Sequence, residues 1–317
     1  MSKIIDQLVA EGRTTAVKKS KLTLLSSAVY YLIGIALSLL FIFPILYMIA
    51  ASTKTDDMLA HEAGTIMMFI PNFTNPAVAI DNYAFVLVNT ASSDLNEPSL
   101  LTYFVNTLIY AAVVIVFNIF VNGLAGYVIA KMRFPGKRFF WFIVMFLIVV
   151  PVETSIIPLY EVVVTMLHLK PILGGAFDLG VFAFVLPAII SIFNIFLFVQ
   201  FFSSIPKDFI EAARIDGLSD WKIFYKIILP MSKPIIATVA VFSFIGVWND
   251  YLWPTMVITT PMLRPIQAGL ESIKAIEGVQ TGAVMASLVI TSLPIFIIYI
   301  AAQKYIVQGF GKAALKI

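Results

Sequence analysis

The residue types that usually carry enzymatic chemistry are scarce in this chain. It contains no cysteine and two histidines, His61 and His168, which lie far apart in the sequence. Neither a metal-ligand spacing nor a nucleophile with its base appears in the sequence. The nearest likeness to a phosphate-binding loop, Gly309-Phe310-Gly311-Lys312, lacks the required spacing and continues into Ala313. Any energy input must therefore come from elsewhere.

The chemistry that remains is that of charge and helix ends, and it is concentrated between Pro206 and Pro230. This stretch reads PKDFIEAARIDGLSDWKIFYKIILP and separates two strongly apolar runs. Pro206 suits the first position of a helix, and Gly217 can adopt the left-handed conformation that ends one. Ser219 can cap a second helix, and Pro230 favours an extended Leu229 at its end. The pattern predicts a compact helix-turn-helix.

Composition indicates where such a segment must lie. The chain has 317 residues, of which 60% are hydrophobic and 12% charged, and its mean hydropathy is +0.97. Soluble domains are nearer half apolar and a quarter charged, so this is a polytopic membrane protein. A sequence pI of about 8.9 could suggest nucleic acid as a partner. The basic residues are instead dispersed between apolar runs, which is typical of membrane topology, and we expect no nucleic acid.

Apolar runs of membrane-spanning length predict an all-α integral membrane protein with six transmembrane helices. The first run is longer than the apolar core of a signal peptide, so we expect it to be retained. A folded outer loop is expected at 52–99 and the polar helix-turn-helix at 203–234, with amino and carboxyl tails at 1–27 and 303–317. The six spans are expected at about 28–51, 100–130, 139–160, 181–202, 235–258 and 282–302.

The distribution of positive charge predicts the orientation. Of 21 lysines and arginines, only Lys54, Lys170, Arg264 and Lys274 fall in the predicted outer loops. Cytoplasmic loops carry the excess of basic residues, so the polar segment and both termini are expected in the cytoplasm. The expected location is therefore the plasma membrane, with a multi-pass topology.

Several polar residues lie within the predicted spans. Asn118, Asn122, Gly126 and Ala130 recur every four residues and form one small, polar stripe. This stripe indicates either close helix packing with hydrogen bonds between helices, or the wall of a water-filled path. Under the second interpretation, the asparagines that line a solute path are Asn118, Asn122, Asn194 and Asn249.

The predicted spans also contain two carboxylates and a second stripe of small residues. Glu153 should face protein or water, or lie at the outer membrane boundary, because a buried charge in the bilayer is costly. Asp250 belongs either to an interfacial aromatic belt, which the flanking tryptophans favour, or to a ligand-facing surface. Ala283, Ser287 and Thr291 predict a packing seam on the sixth span.

The polar segment resembles a known motif. Glu211-Ala212-Ala213, three residues, Gly217, nine residues and Ile227 to Pro230 are similar to the EAA loop of ABC importer permeases. The pair Asp216-Gly217 resembles the carbohydrate branch. Other matching strings begin at Asn106 and extend to the carboxyl end; they are Asn106-Thr107, Tyr127 to Gly136, Asn249 to Pro254 and Gln303 to Lys316. The chain is similar to the smaller permease of a maltose-transporter type heterodimer, although Ala313 stands where a glycine is common.

The resemblance implies partners and site residues. The partners would be a second permease, two cytoplasmic ATPase subunits that bind the ATP, and an extracellular solute-binding protein, and the solute would be a small polar molecule such as a sugar or oligosaccharide. Glu211 would offer a carboxylate to a cation in a groove of the ATPase, and no cofactor would be held by this chain. The residues that the resemblance assigns to coupling are Glu211, Ala212, Ala213, Asp216 and Gly217.

Two other readings of the sequence remain. A secondary transporter would usually show an inverted repeat with paired broken helices, and the single polar hairpin has no counterpart between the first two spans. An amphipathic hairpin could instead lie on the bilayer surface. An alanine pair beside a glutamate has no use in that setting.

Overall fold

The computed structural model describes residues 21–88, 98–169 and 179–314, and the side chains of those between 29 and 303. Every regular element in these ranges is helical, as expected of an all-α protein. We number the principal helices in chain order. They are α1 Lys21–Ala51, α2 Asp56–Glu62, α3 Pro76–Leu87, α4 Leu100–Lys131, α5 Lys137–Val149, α6 Val152–Met166, α7 Gly180–Ile189, α8 Ile192–Ser204, α9 Asp208–Ile215, α10 Asp220–Met231, α11 Lys233–Asn249, α12 Leu252–Val257, α13 Ile266–Lys274 and α14 Thr281–Ala314.

Helix length and apolarity identify the segments that can cross a bilayer. In the described part of the chain, four segments qualify alone: Val29–Ala51, Leu100–Lys131, Gly180–Ser204 and Thr281–Gln303. Two sharply bent helix pairs, α5 with α6 and α10 with α11, raise the total to six if each pair counts as one span. The chain is therefore a multi-pass membrane protein with four to six spans.

Helix α4 lies at the centre of the bundle, where it packs against α7, α8, α11 and α13. Its amino-terminal half contributes Tyr103 to an apolar core that also contains Phe184, Trp248 and Ile266. Thr107 of α4 accepts a hydrogen bond of 2.7 Å from the backbone N–H of Ile266. This bond fixes the start of α13 against α4, so the predicted third outer loop contains a buried helix.

The predicted third span is not one straight helix. Helix α5 ends at Val149, and α6 leaves at an angle of 102°. Val150 has an extended ψ of 121° because the ring of Pro151 disfavours a helical conformation in the residue before it. Glu153 lies just beyond this break and is exposed, which agrees with either of its two expected settings.

The tryptophans beside Asp250 lie in the core, so the argument that placed them in an aromatic belt is wrong. Trp248 is fully buried and donates its indole N–H to the carbonyl of Thr291 on α14. Trp253 is also buried and donates to the carbonyl of Ala183 on α7. Each indole fills the space between two helices and donates its N–H to a buried backbone carbonyl of the neighbouring helix, as buried tryptophans usually require.

The seam predicted on the sixth span is a packing surface in the structure. Ala283, Ser287 and Thr291 are all buried on α14, which packs against α11, α3 and α1. Small side chains let two helices approach closely. In a membrane this close packing matters, because lipid tails are as apolar as the side chains and the hydrophobic effect does not drive helices together. This seam therefore holds the last helix of the bundle in place.

The described part of the predicted first outer loop, residues 52–88, is folded against the start of α14. Lys54 is buried, forms an ion pair with Glu62 and donates a hydrogen bond of 2.7 Å to the carbonyl of Met67. The amide of Asn82 donates to the carbonyls of Ser52 and Lys54. These residues are folded, their location outside the membrane stays a prediction, and residues 89–97 lie outside the described ranges.

A glycine substitution should test the contact between this region and α14. A β-carbon at Gly282 would overlap the carbonyl oxygen of Lys54 and the amide nitrogen of Asn82, whereas one at Gly246 would meet no atom within 4 Å. We expect Gly282→Ala to destabilise the protein by about 1–3 kcal/mol through overpacking. Gly246→Ala should be neutral or slightly stabilising because alanine favours a helix. Thermal unfolding of the detergent-purified variants measures the difference, and equal melting temperatures would contradict the packing described here.

Candidate functional site

Helix α9 and its end form the first part of the candidate site. The helix begins at Asp208, two residues after the predicted start at Pro206, and runs to Ile215. Gly217 follows it with a φ of 76°, the left-handed conformation expected there. The backbone N–H of Gly217 bonds to the carbonyl of Arg214, and that of Leu218 bonds to Ala213. These two bonds form a Schellman cap, which satisfies the last carbonyls and turns the chain back.

The two faces of α9 have opposite environments. Ile210 and Ala213 are buried in an apolar cluster with the neighbouring helices. Residues at positions i, i+3, i+4 and i+7 share the other face. These residues are Asp208, Glu211, Ala212 and Ile215, and all four are exposed. The helix is thus anchored on one side and presents a carboxylate beside a small, flat apolar surface on the other.

Large apolar side chains are also exposed on α9 and α10. Ile215 is 87% exposed, Trp221 59%, Tyr225 56% and Phe209 48%. Such residues in a polar segment are typical of a surface that binds another protein. We did not predict these exposed apolar residues from the sequence. The available signal was Ile215, an apolar residue seven positions after Asp208 and therefore on the polar face of α9.

The second helix departs from the predicted pattern. Ser219 occupies the expected cap position, but its side chain makes no capping hydrogen bond. Leu229 is helical, with φ of −62° and ψ of −46°, and not extended as we predicted. The reason is a π-helical turn at Phe224–Ile228, which widens the helix before Pro230 and so relieves the clash that a proline ring makes in an ordinary turn. Helix α10 then meets α11 at an angle of 84°.

The hairpin is fixed to the ends of two long helices. The rings of Tyr127 on α4 and Phe224 on α10 lie 5.5 Å apart between centroids. Lys131 at the end of α4 donates a hydrogen bond to the carbonyl of Ile205, the residue that follows α8. A displacement of α9 and α10 would therefore displace the ends of α4 and α8 with it.

An ion pair closes the turn between α9 and α10. Arg214 donates a hydrogen bond of 2.8 Å to the carboxylate of Asp220. This hydrogen bond and the charge of Asp220 raise the pKa of the Arg214 guanidinium. The side chains are 51% and 41% exposed, and pairs so exposed contribute about 0–1 kcal/mol. The cap at Gly217 and the buried apolar cluster therefore fix the turn more than this pair does.

The polar stripe of α4 lies at the interface with α8. Asn122 is fully buried. Its side-chain amide donates a hydrogen bond of 2.9 Å to the carbonyl of Ile189, and its side-chain oxygen accepts one from the backbone N–H of Ser191. These are the backbone groups left unpaired where the chain breaks between α7 and α8. A β-carbon at Gly126 would lie 2.6 Å from that of Phe198. The contacts are those expected of the close-packing interpretation.

The other asparagines divide between the core and the surface. Asn194 is buried, and its amide donates to Asn118 on α4 at 3.0 Å and to Ser243 on α11 at 3.2 Å. Asn249, the last residue of α11, is exposed. Asp250 follows it and accepts a hydrogen bond from the backbone N–H of Trp253, at the start of α12. The structure thus joins Asn118 and Asn194 to one another and leaves Asn249 apart from them.

Comparison with known proteins places this architecture among transport permeases. Residues 122–312 match the family described as "Binding-protein-dependent transport system inner membrane component". The chain is 33% identical to the sn-glycerol-3-phosphate transport system permease protein UgpE of Salmonella typhi, over 88% of this chain and 92% of that protein. It is 29% identical to the arabinooligosaccharides transport system permease protein AraQ of Halalkalibacterium halodurans, over 87% of this chain and 91% of that protein.

A diacetylchitobiose uptake system permease protein, NgcG of Streptomyces coelicolor, is 28% identical over 92% of this chain and 89% of that protein. The fold is similar to a chain in the crystal structure of a bacterial ABC transporter involved in the import of the acidic polysaccharide alginate. The TM-score is 0.73 at 24% identity, over 90% of this chain and 98% of that one. The family match covers more than half of the sequence. The resemblance found in the sequence is therefore confirmed: the chain belongs to the family of inner membrane components of binding-protein-dependent transport systems, as a permease subunit without catalytic activity of its own.

Proposed function

We propose that this chain is one half of the membrane pathway of an ATP-driven ABC importer for a sugar or oligosaccharide. Its partners are a second, different permease, two cytoplasmic ATPase subunits and an extracellular solute-binding protein. The observation that carries the proposal is the exposed face of α9, which presents Glu211 beside Ala212 and Ile215 while Ile210 and Ala213 anchor the helix to the bundle. ATP binding closes the ATPases, and this helix transmits the movement to the spans.

The physics of α9 suits a coupling element. Eight residues give a helix about 12 Å long, which is short enough to enter a groove on a partner. Ala212 leaves room for the partner's backbone, and Glu211 can pair with a cation inside the groove. Asp216 and Gly217 end the helix at its exposed tip, where Gly217 lets the chain return towards α10. We assign coupling to these residues together with Ala213, which holds the helix against the apolar cluster.

The proposed topology has six spans with both termini in the cytoplasm. The spans are α1, α4, α5 with the start of α6, α7 with α8, α11 with α12, and α14. This arrangement places α9 and α10 on the side that carries the basic residues, in keeping with the positive-inside rule. The outer region of α2 and α3 then lies on the opposite side, where the solute-binding protein would dock.

Two observations support a carbohydrate as the solute. The printed names of two relatives, AraQ and NgcG, specify oligosaccharide substrates, and that of UgpE specifies sn-glycerol-3-phosphate. The pair Asp216-Gly217 resembles the carbohydrate branch. Another small polar solute is the second candidate, because the relatives differ in what they carry.

Of the four asparagines considered for the solute path, we retain Asn249 as a lining residue. Its exposed position at the end of α11 leaves its amide available to a solute. Asn118, Asn122 and Asn194 use their side chains within the bundle. For these three we propose a positioning role, in which they hold the broken helix α7–α8 beside the path.

Recovery of the ATPase subunit tests the docking surface. A tagged chain should retain its ATPase during purification, and Glu211→Arg should abolish that recovery. Breaking a desolvated ion pair costs roughly 3–5 kcal/mol, so the affinity should fall at least about 100-fold. Glu277→Arg, an equal charge change at an exposed outer position, serves as the control and should retain the ATPase. Absence of any ATPase from the wild-type preparation, with intact proton-driven uptake in vesicles, would favour a secondary transporter.

The cap of α9 provides a second test. A β-carbon at Gly217 meets no neighbouring atom, so the effect of a substitution there comes from its φ of 76° alone. Gly217→Val should insert and assemble normally but uncouple ATP hydrolysis from uptake, because a left-handed β-branched residue costs roughly 1–2 kcal/mol or more. Gly217→Asn, which tolerates that conformation, should remain coupled. ATPase and uptake rates are measured in proteoliposomes, and normal uptake by Gly217→Val would count against the proposed hinge.

Cysteine labelling tests the path, since the chain has no cysteine of its own. Asn249→Cys should react with a membrane-impermeant maleimide, and transported solute should slow the reaction. Ser243→Cys, on the same helix but buried, should stay unlabelled in the same preparation. If Asn249→Cys does not react in any nucleotide state of the assembled importer, Asn249 does not line the path.

A further inference from the structure

A basic cleft lies where the turn between α4 and α5 meets the end of α8. It has a volume of about 720 Å³, and its lining includes Arg133, Lys137, Arg138, Trp141 and Gln200. The apolar residues Ile129 and Val199 also line the cleft. The cleft is separate from the exposed face of α9 and from the asparagines of the bundle interior.

The positive charge around this cleft is not neutralised by the protein. Within the described ranges, the three ion pairs all lie elsewhere, at Lys54–Glu62, Arg214–Asp220 and Lys274–Glu271. The charges that act on Lys137 most strongly are those of Lys207 and Arg133, which repel it. The protein therefore holds like charges together at this site, where an anion would relieve their mutual repulsion.

Hydrogen bonds hold the basic turn in shape. The amino group of Lys137 donates to the carbonyl oxygens of Ala130 at 3.3 Å and Met132 at 3.1 Å. Arg133 and Arg138 are exposed. Two guanidinium groups are thus available beside a lysine whose position the backbone fixes, and guanidinium groups bind phosphate oxygens in bidentate fashion.

The surface next to the cleft is apolar. Helix α5 starts at Lys137 and then exposes Phe139, Phe142 and Phe146 at 63%, 64% and 60%. Trp141 lies between the basic turn and this apolar face, where its ring stacks on Phe196. Tryptophan is enriched at the level of lipid headgroups, and a basic pocket between spans is a known way of binding an anionic headgroup.

We propose that this cleft binds an anionic phospholipid of the cytoplasmic leaflet. The headgroup phosphate lies between Arg133 and Arg138, with Lys137 beside it, and the acyl chains run along the exposed face of α5. The apolar face is what selects a lipid over a soluble anion, since a free phosphate gains nothing from it. The bound lipid would fix the ends of α4 and α8, to which the α9–α10 hairpin is attached.

The test measures lipid binding directly and does not depend on transport. The full-length chain, purified with its copurifying subunits, is titrated with dioleoylphosphatidylglycerol or dioleoylphosphatidylcholine and followed by native mass spectrometry. We expect phosphatidylglycerol to bind preferentially. Arg133→Gln combined with Arg138→Gln should weaken that binding about 30-fold, since each basic group near the membrane surface contributes roughly fivefold. Lys222→Gln combined with Lys226→Gln removes two exposed charges outside the cleft and should leave binding unchanged.

Two further arms distinguish the source of the phosphate and exclude misfolding. Inorganic phosphate at millimolar concentration should not displace the lipid, and Arg133→Lys combined with Arg138→Lys should restore part of the binding, because it keeps the charge and loses the bidentate geometry. Equal binding of the two lipids, equal losses in both glutamine variants, or displacement by inorganic phosphate would each overturn the proposal. So would loss of the lipid whenever the ATPase subunits are bound, because a protein partner would then cover the cleft.

Discussion

The fold depends on one constraint: in hydrocarbon, every backbone polar group needs a partner within the protein. The chain breaks a membrane-length segment between α7 and α8, and this break leaves a carbonyl at Ile189 and an N–H at Ser191 without helical partners. The side chain of Asn122 satisfies both groups from the neighbouring helix. An apolar side chain at that position would leave two polar groups unpaired, at a cost of about 1–3 kcal/mol each. The α4–α8 interface follows from this requirement.

The same interface continues to the surface segment. Below Asn122, Gly126 allows α8 to approach closely, and the buried ring of Tyr127 meets Phe224 of α10. One helix thus runs from the polar network in the bundle interior to the hairpin that carries Glu211. Packed side chains resist compression, so a force on α9 is passed to α4 and α8 as a movement of helix ends and is not absorbed locally. The hairpin is part of the bundle, which is the property that a coupling element needs.

The two charged surfaces of the chain, the exposed face of α9 and the basic turn between α4 and α5, serve different purposes. Around α9, exposed apolar side chains accompany the charges, and a protein groove can desolvate both. At the turn between α4 and α5, exposed basic groups adjoin an apolar helix, an arrangement that suits the boundary of a bilayer. Both lie at the ends of α4 and α8. Lipid composition and nucleotide state would therefore act on the same pair of helix ends. Both effects need only binding at the surface of this chain, and not a catalytic group.

The sequence by itself determined the helical membrane class, the family and the position of the Gly217 cap, because apolar content, motif spacing and glycine conformation are local properties. It also indicated the seams at Asn122 and Ser287 through their helical spacing. It could not decide between packing and path for the asparagines, and it led to wrong settings for Trp248 and Leu229. The settings of the asparagines and of Trp248 depend on which neighbour each side chain meets, and only the tertiary structure brings together partners from distant parts of the chain. The conformation of Leu229 depends on a π-helical turn that its local sequence did not indicate.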